Sequence, residues 1–128
     1  HPVLPIEKAF GMIKPRFKFR VDTTPSVYHS LQKTDFLLYA SASVCMEALS
    51  MGVPVVYIQL SDFFDSDPLF DFSDFKWSAN SPEALLSITN AIHNMSDEDF
   101  QVRQKKGKDY VDYYFYPATK ERMEIFLQ

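Results

Sequence analysis

Glu47 is the only charged residue in the segment ASASVCMEALSMGVPVVYI, positions 40–58, where its neighbours are small or apolar. An ionised carboxylate only accepts hydrogen bonds and can take two at once, which suits a ligand that presents adjacent hydroxyls, such as a sugar or ribose ring. Ser41 and Ser43 stand just ahead of it, and hydroxyls beside the free N–H groups of a helix start suit a phosphate. Glu47 lies four residues past Ser43, too far along to act as a cap, and the helix dipole stabilises an acid by only about 0.3–1 kcal/mol, within the first turn. An unpaired ionised group between apolar strands would be costly. The sequence therefore predicts a dry, inward position for Glu47 and a partner for its charge.

The elements that must position these groups follow from hydrophobic pattern. DFLLYA, positions 35–40, is a short apolar run, and VPVVYIQL, positions 53–60, is a second, rich in the branched residues of a strand buried on both faces. Between them Ser41 or Ser43 is expected to cap a helix that continues from Val44 to Met51 and stops at Gly52 and Pro54. Strand, turn, helix, glycine, strand is the order of a right-handed crossover, and parallel sheets bind ligands outside the carboxyl ends of their strands.

Extended and helical signals alternate along the rest of the chain. LPIEKAFGMIK reads as a helix, FKFRV as a strand with a two-residue period, and TTPSVYHSLQKT as a helix with Thr24 as cap and Pro25 in its first turn. KWSAN reads as a short strand. SPEALLSITNAIHNM reads as a helix capped by Ser81, with Leu85, Ile88, Ile92 and Met95 on one face. SDEDFQVRQKKGKDYVDYYFY begins with Ser96 and acids in its first turn and reads as a surface helix, and ATKERMEIFLQ as a terminal one. The expected fold is α/β, a Rossmann-like open parallel sheet with helices on both faces, and residues 1–128 form one domain.

Composition removes several function classes. A 128-residue chain with 46% hydrophobic residues builds one core. A net charge of -4 leaves no basic excess for a nucleic acid or an anionic membrane surface. No run approaches the ~20 apolar residues of a spanning helix. Cys45 is the single cysteine, which excludes an internal disulfide and fits a cytoplasmic setting; it reads as a packed thiol. The loop SDFFDSDPLFDFSDF interleaves Asp62, Asp65, Asp67, Asp71 and Asp74 with phenylalanines, but its spacing matches no calcium loop. His29 and His93 lack metal-ligand spacing. No metal site is expected. An opening HPVLP without methionine reads as a piece of a longer chain.

DFLLYASASVCMEALSMGVPVV resembles the nucleotide-sugar site of GT-B glycosyltransferases, in which a strand, a small-residue turn, "EA", a helix, "G.P" and a strand recur in the carboxy-terminal domain. The resemblance implies a single half of a GT-B fold, the donor-binding domain. It places Ser41, Ala42, Ser43 and Val44 along the donor diphosphate and Glu47 on the nucleotide ribose. The opening HP is also similar to bacterial polysaccharide-type transferases, which makes His1 a further donor-binding candidate. Two departures are visible: Tyr39 stands where many retaining members carry a glutamate, and serine and alanine replace the glycines of the phosphate turn. An inverting or divergent transferase is the implied subgroup.

By this resemblance the substrate is a nucleotide sugar and no separate cofactor is needed. The partner is an amino-terminal acceptor-binding domain of the same chain, which supplies the base, and membrane association comes only through regions outside these residues. The isolated domain is expected to be inactive. A nucleotide-sugar epimerase of the same architecture and a non-catalytic α/β interaction domain are the alternatives.

Overall fold

The structure, a computed structural model, describes residues 22–59 and 66–116, with Thr119 and Glu124. His1, the helix expected near the amino terminus and the FKFRV strand lie outside the described residues, as does nearly all of the expected terminal helix.

The elements in order are α1 (Val27–Leu31), β1 (Leu37–Tyr39), α2 (Val44–Ser50), β2 (Val55–Ile58), β3 (Lys76–Ala79), α3 (Pro82–His93) and α4 (Asp97–Tyr114). The three strands form one open sheet in the order β1-β2-β3. Both pairings are parallel, with Leu37 beside Val55 and Val55 beside Lys76. The chain is thus an α/β protein. Val55, Val56 and Tyr57 of the central strand are all buried, which explains the unbroken apolar run at β2. β1 is covered on one side only: Tyr39 is 5% exposed and the adjacent Leu38 is 46% exposed.

The crossover from β1 through α2 to β2 forms as the sequence predicts, and its carboxyl end is closed by backbone geometry. Met51 is the C-cap after Ser50, and Gly52 follows with φ of 77°. The Gly52 N–H donates to Leu49 O at 2.9 Å and the Val53 N–H donates to Ala48 O at 2.8 Å. This pair of bonds is a Schellman motif, and its left-handed residue is the reason a glycine stands there.

The amino end of α2 differs from expectation. Ser43 occupies the cap position with helical backbone angles and makes no side-chain cap bond. A hydroxyl caps well only from an extended conformation, which points it at the N–H groups of the first turn. α1 departs in a similar way. Thr24, the expected cap, donates its hydroxyl to Asp22 at 2.5 Å, while its backbone N–H donates to the same oxygen at 2.9 Å. The helix then begins later, at Val27. α3 and α4 start as the sequence predicts, with Ser81 accepting from Ala84 N–H at 3.1 Å and Ser96 from Asp99 N–H at 3.2 Å.

α4 is more than a surface helix. Phe100, Gln104, Gly107 and Val111, at spacings of four, three and four, form a seam. Gly107 and Val111 are its buried members. The helix runs antiparallel to α2: Gln104 Nε2 donates to Gly52 O at 3.0 Å, and a Cβ on Gly107 would lie 3.2 Å from Leu49 Cδ2. The missing side chain at Gly107 lets the two helices approach closely.

Gly52→Ala tests the crossover's closure. An added Cβ would run into the Gln104 side-chain amide while the backbone stays left-handed. The expected loss is about 2 kcal/mol, combining about 1 kcal/mol of left-handed strain with about 1 kcal/mol for a displaced hydrogen bond. Urea denaturation reads it as a lowered midpoint at unchanged slope.

Candidate functional site

Helical geometry decides where Glu47 points. Cys45, Met46, Ala48 and Leu49 are all buried, and at about 100° per residue they cover one half of the helix. Glu47 falls on the opposite side and is exposed. The expectation of a dry, inward carboxylate is therefore corrected, because four better-buried neighbours already fill the sheet-facing arc. Among the described residues Glu47 makes no ion pair.

Glu47 does edge a hollow. Ser43, Met46 and Glu47 of α2 line it together with Val111 and Phe115 at the end of α4, around about 430 Å³. Met46 and Val111 are buried and form an apolar floor, Phe115 is an exposed wall, and Ser43 and Glu47 supply the polar groups. None of these residues comes from a strand. The hollow thus opens between two helices, whereas the sequence pointed to a crevice at the strand ends. Ser41 and Ala42 are exposed in the turn before α2, Val44 is half-buried, and His1 is outside the described residues.

A second hollow, of about 470 Å³, lies at the amino ends of β1 and β2 among Asp35, Phe36, Pro54, Ile92, His93 and Phe100. It is at the opposite end of α2 from Ser43 and holds none of the residues singled out as donor contacts.

The most concentrated polar chemistry is buried, and the sequence did not reveal it. Asp67 Oδ1 accepts from the Tyr39 hydroxyl at 2.6 Å and from the Leu69 N–H at 2.9 Å. Its Oδ2 pairs with Lys76 Nζ at 2.5 Å, and Lys76 also donates to Leu69 O at 2.6 Å. The two charged side chains are only 10% and 2% exposed, for Lys76 and Asp67 respectively. Three segments meet at this carboxylate: the end of β1, the loop before β3, and β3 itself. The available signal was local, since an Asp-Pro-Leu stretch favours an Asx-turn in which the carboxylate accepts from the N–H two residues on.

Burial, reinforced by the Asp67 hydrogen bond, raises the Tyr39 hydroxyl well above the ordinary tyrosine range. Burial also pushes the Cys45 thiol up to about 11, with the Asp67 charge as the next cause. Cys45 is fully buried, and a thiol so placed is a packing group and no nucleophile at neutral pH. Tyr39 and Cys45 thus stay neutral around a satisfied ion pair. Among the described residues no group of three or more His, Cys, Asp or Glu side chains is placed to hold a metal ion. No described helix is long and apolar enough to cross a membrane.

Compared with known protein families, curated proteins and solved structures, the chain matches none.

The buried cluster generates two expected outcomes. Asp67→Ala leaves the Lys76 charge without its counter-ion and lowers stability by about 3–5 kcal/mol, while adding Lys76→Met recovers much of the loss; urea unfolding of both variants measures this. The second concerns alkaline pH. Unfolding returns Cys45 to its ordinary value of about 8.5, so its contribution is whole below about pH 8.5 and is lost as pH climbs toward 11. Stability measured across that window falls less steeply in Cys45→Ala than in the parent.

Proposed function

We propose that the chain is the donor-binding half of a GT-B glycosyltransferase, moving a sugar or related group from a nucleotide-activated donor to a saccharide or lipid-linked acceptor. The observation that carries the reading is the meeting of Ser43 and Glu47 at one hollow. Ser43 is released from capping and Glu47 has no ion-pair partner among the described residues, so both have bonding capacity to offer a ligand. The parallel crossover that holds them has the order of elements of the family's donor site.

In this reading Glu47 accepts from a ribose diol, and the exposed turn at Ser41 and Ala42 lies along the leaving diphosphate, where hydroxyls stabilise the charge that builds as the glycosidic bond breaks. His1 remains a donor-facing candidate through the same resemblance. An amino-terminal domain of the parent closes the cleft and supplies the base that deprotonates the acceptor hydroxyl. The isolated half binds without turning over.

The outward position of Glu47 favours one competing reading, a non-catalytic α/β interaction domain, because a solvated carboxylate on a short helix needs no ligand. A thermal-shift titration with UDP, GDP, CMP and their sugars separates the two. The donor reading expects a rise of several degrees with at least one nucleotide. Glu47→Ala abolishes the rise and, as a surface change, moves the unliganded stability by no more than about 0.5 kcal/mol. No response to any nucleotide overturns the donor reading in favour of the interaction domain.

A further inference from the structure

We infer that the hollow between α2 and α4 holds the nucleoside end of the donor, with the base laid against Phe115 and the ribose diol on Glu47, and that the phosphates leave it toward the turn. This rests on the donor reading, which already sets the ribose on Glu47 and the phosphates along the turn, and adds to it a base-recognising residue at the end of α4, Phe115.

The first support is the composition of the hollow. Among the described residues its floor is Met46 and Val111, its wall is the Phe115 ring, and its charged group is the Glu47 carboxylate. A phosphate placed there would meet a like charge and an apolar floor, and none of the described lining residues is a cation. A nucleoside meets the opposite conditions: a flat aromatic face for the wall, apolar surface for the floor, and adjacent hydroxyls that donate to an acceptor-only carboxylate. A volume of about 430 Å³ falls within the range of small-molecule sites.

The second support is the way the Phe115 ring is held. Phe115 closes α4, its N–H donating to Val111 O at 2.8 Å. A run of ring contacts leads from it into the core: Phe115 meets Tyr114 edge-on at 5.5 Å, Tyr114 meets Tyr110 at 5.9 Å, and Tyr110 stacks on Phe72 at 4.6 Å. Phe72 is buried, and the Tyr110 hydroxyl is fixed on Asp71 at 2.6 Å. An exposed ring anchored through three others loses little freedom when a base stacks on it, so more of the stacking energy appears as affinity.

The test measures binding of uridine, cytidine, adenosine and guanosine, their 5′-monophosphates, and ribose 5-phosphate to the 128-residue chain by ligand-observed NMR and calorimetry. At least one nucleoside is expected to bind within a few-fold of its monophosphate, because the phosphate lies beyond the hollow. Phe115→Ala weakens that nucleoside about tenfold, Phe115→Trp retains or tightens it, and neither changes ribose 5-phosphate. Glu47→Gln weakens all three ligand types. Circular dichroism confirms that the variants fold, as expected for a residue 61% exposed. Nucleotide binding that depends on Glu47 but ignores Phe115 overturns this inference and leaves the donor reading standing. Absence of any nucleoside or nucleotide binding overturns both.

Discussion

The Asp67 carboxylate is the constraint on which the described structure depends. It sits in a loop, yet it is bonded to the end of β1 through Tyr39 and to the start of β3 through Lys76. A loop that carries an ionised group inward is stable only if the charge is paired and its remaining lone pairs are occupied. Here the tyrosine hydroxyl, the Leu69 N–H and the lysine meet those demands together. The described segment ahead of β3, from Asp67 to Phe75, is therefore fixed to the sheet by polar bonds as well as by Phe72 and Phe75, both buried. The ion pair contributes less net stability than its Coulomb attraction suggests, because both groups were desolvated to form it. Its effect is to join the loop to the start of β3, while the Tyr39 hydroxyl ties the same carboxylate to the end of β1.

α2 shows how seven residues are divided between two duties. Its buried half packs on β1, β2 and α4, and its end is stopped by a backbone motif that needs a glycine. The other half turns Glu47 to the surface, beside Ser43 at the cap position. Tight packing on one side thus determines which positions are left to face a ligand on the other.

What was legible in the sequence is what depends on local backbone physics. The apolar runs at β1 and β2, the caps at Ser81 and Ser96, and the stop at Gly52 all arise within a few residues of one another, and all appear where pattern and capping place them. A single charge in an apolar run does not mark an inward face: the wheel of Cys45, Met46, Ala48 and Leu49 already reserves that face, and Glu47 is turned outward. Ser43 failed as a cap because its own backbone is helical, a property set by how the turn leaves β1. Long-range pairs were invisible for a different reason. Nothing near Lys76 announces Asp67, nine residues away, or Tyr39, twenty-eight residues before that aspartate. The role of Gly107 depends on α4 meeting α2, which no periodicity within α4 specifies.

That meeting also explains why the hollow lies where it does. Near the carboxyl end of α2 the helices are drawn together, by the Gln104 bond to the Gly52 carbonyl and by the absent side chain at Gly107 against Leu49. Further along the same seam Val111 and Phe115 stand in place of the glycine and line the hollow beside Ser43 and Glu47. The space between them is then the geometric consequence of a seam that is tight at one end and bulky at the other. The backbone that carries its lining residues is positioned by packing of the buried sides of the two helices. A site built in this way on helix flanks can vary its recognition through one ring at the end of α4 while leaving the sheet, the crossover and the buried ion pair untouched.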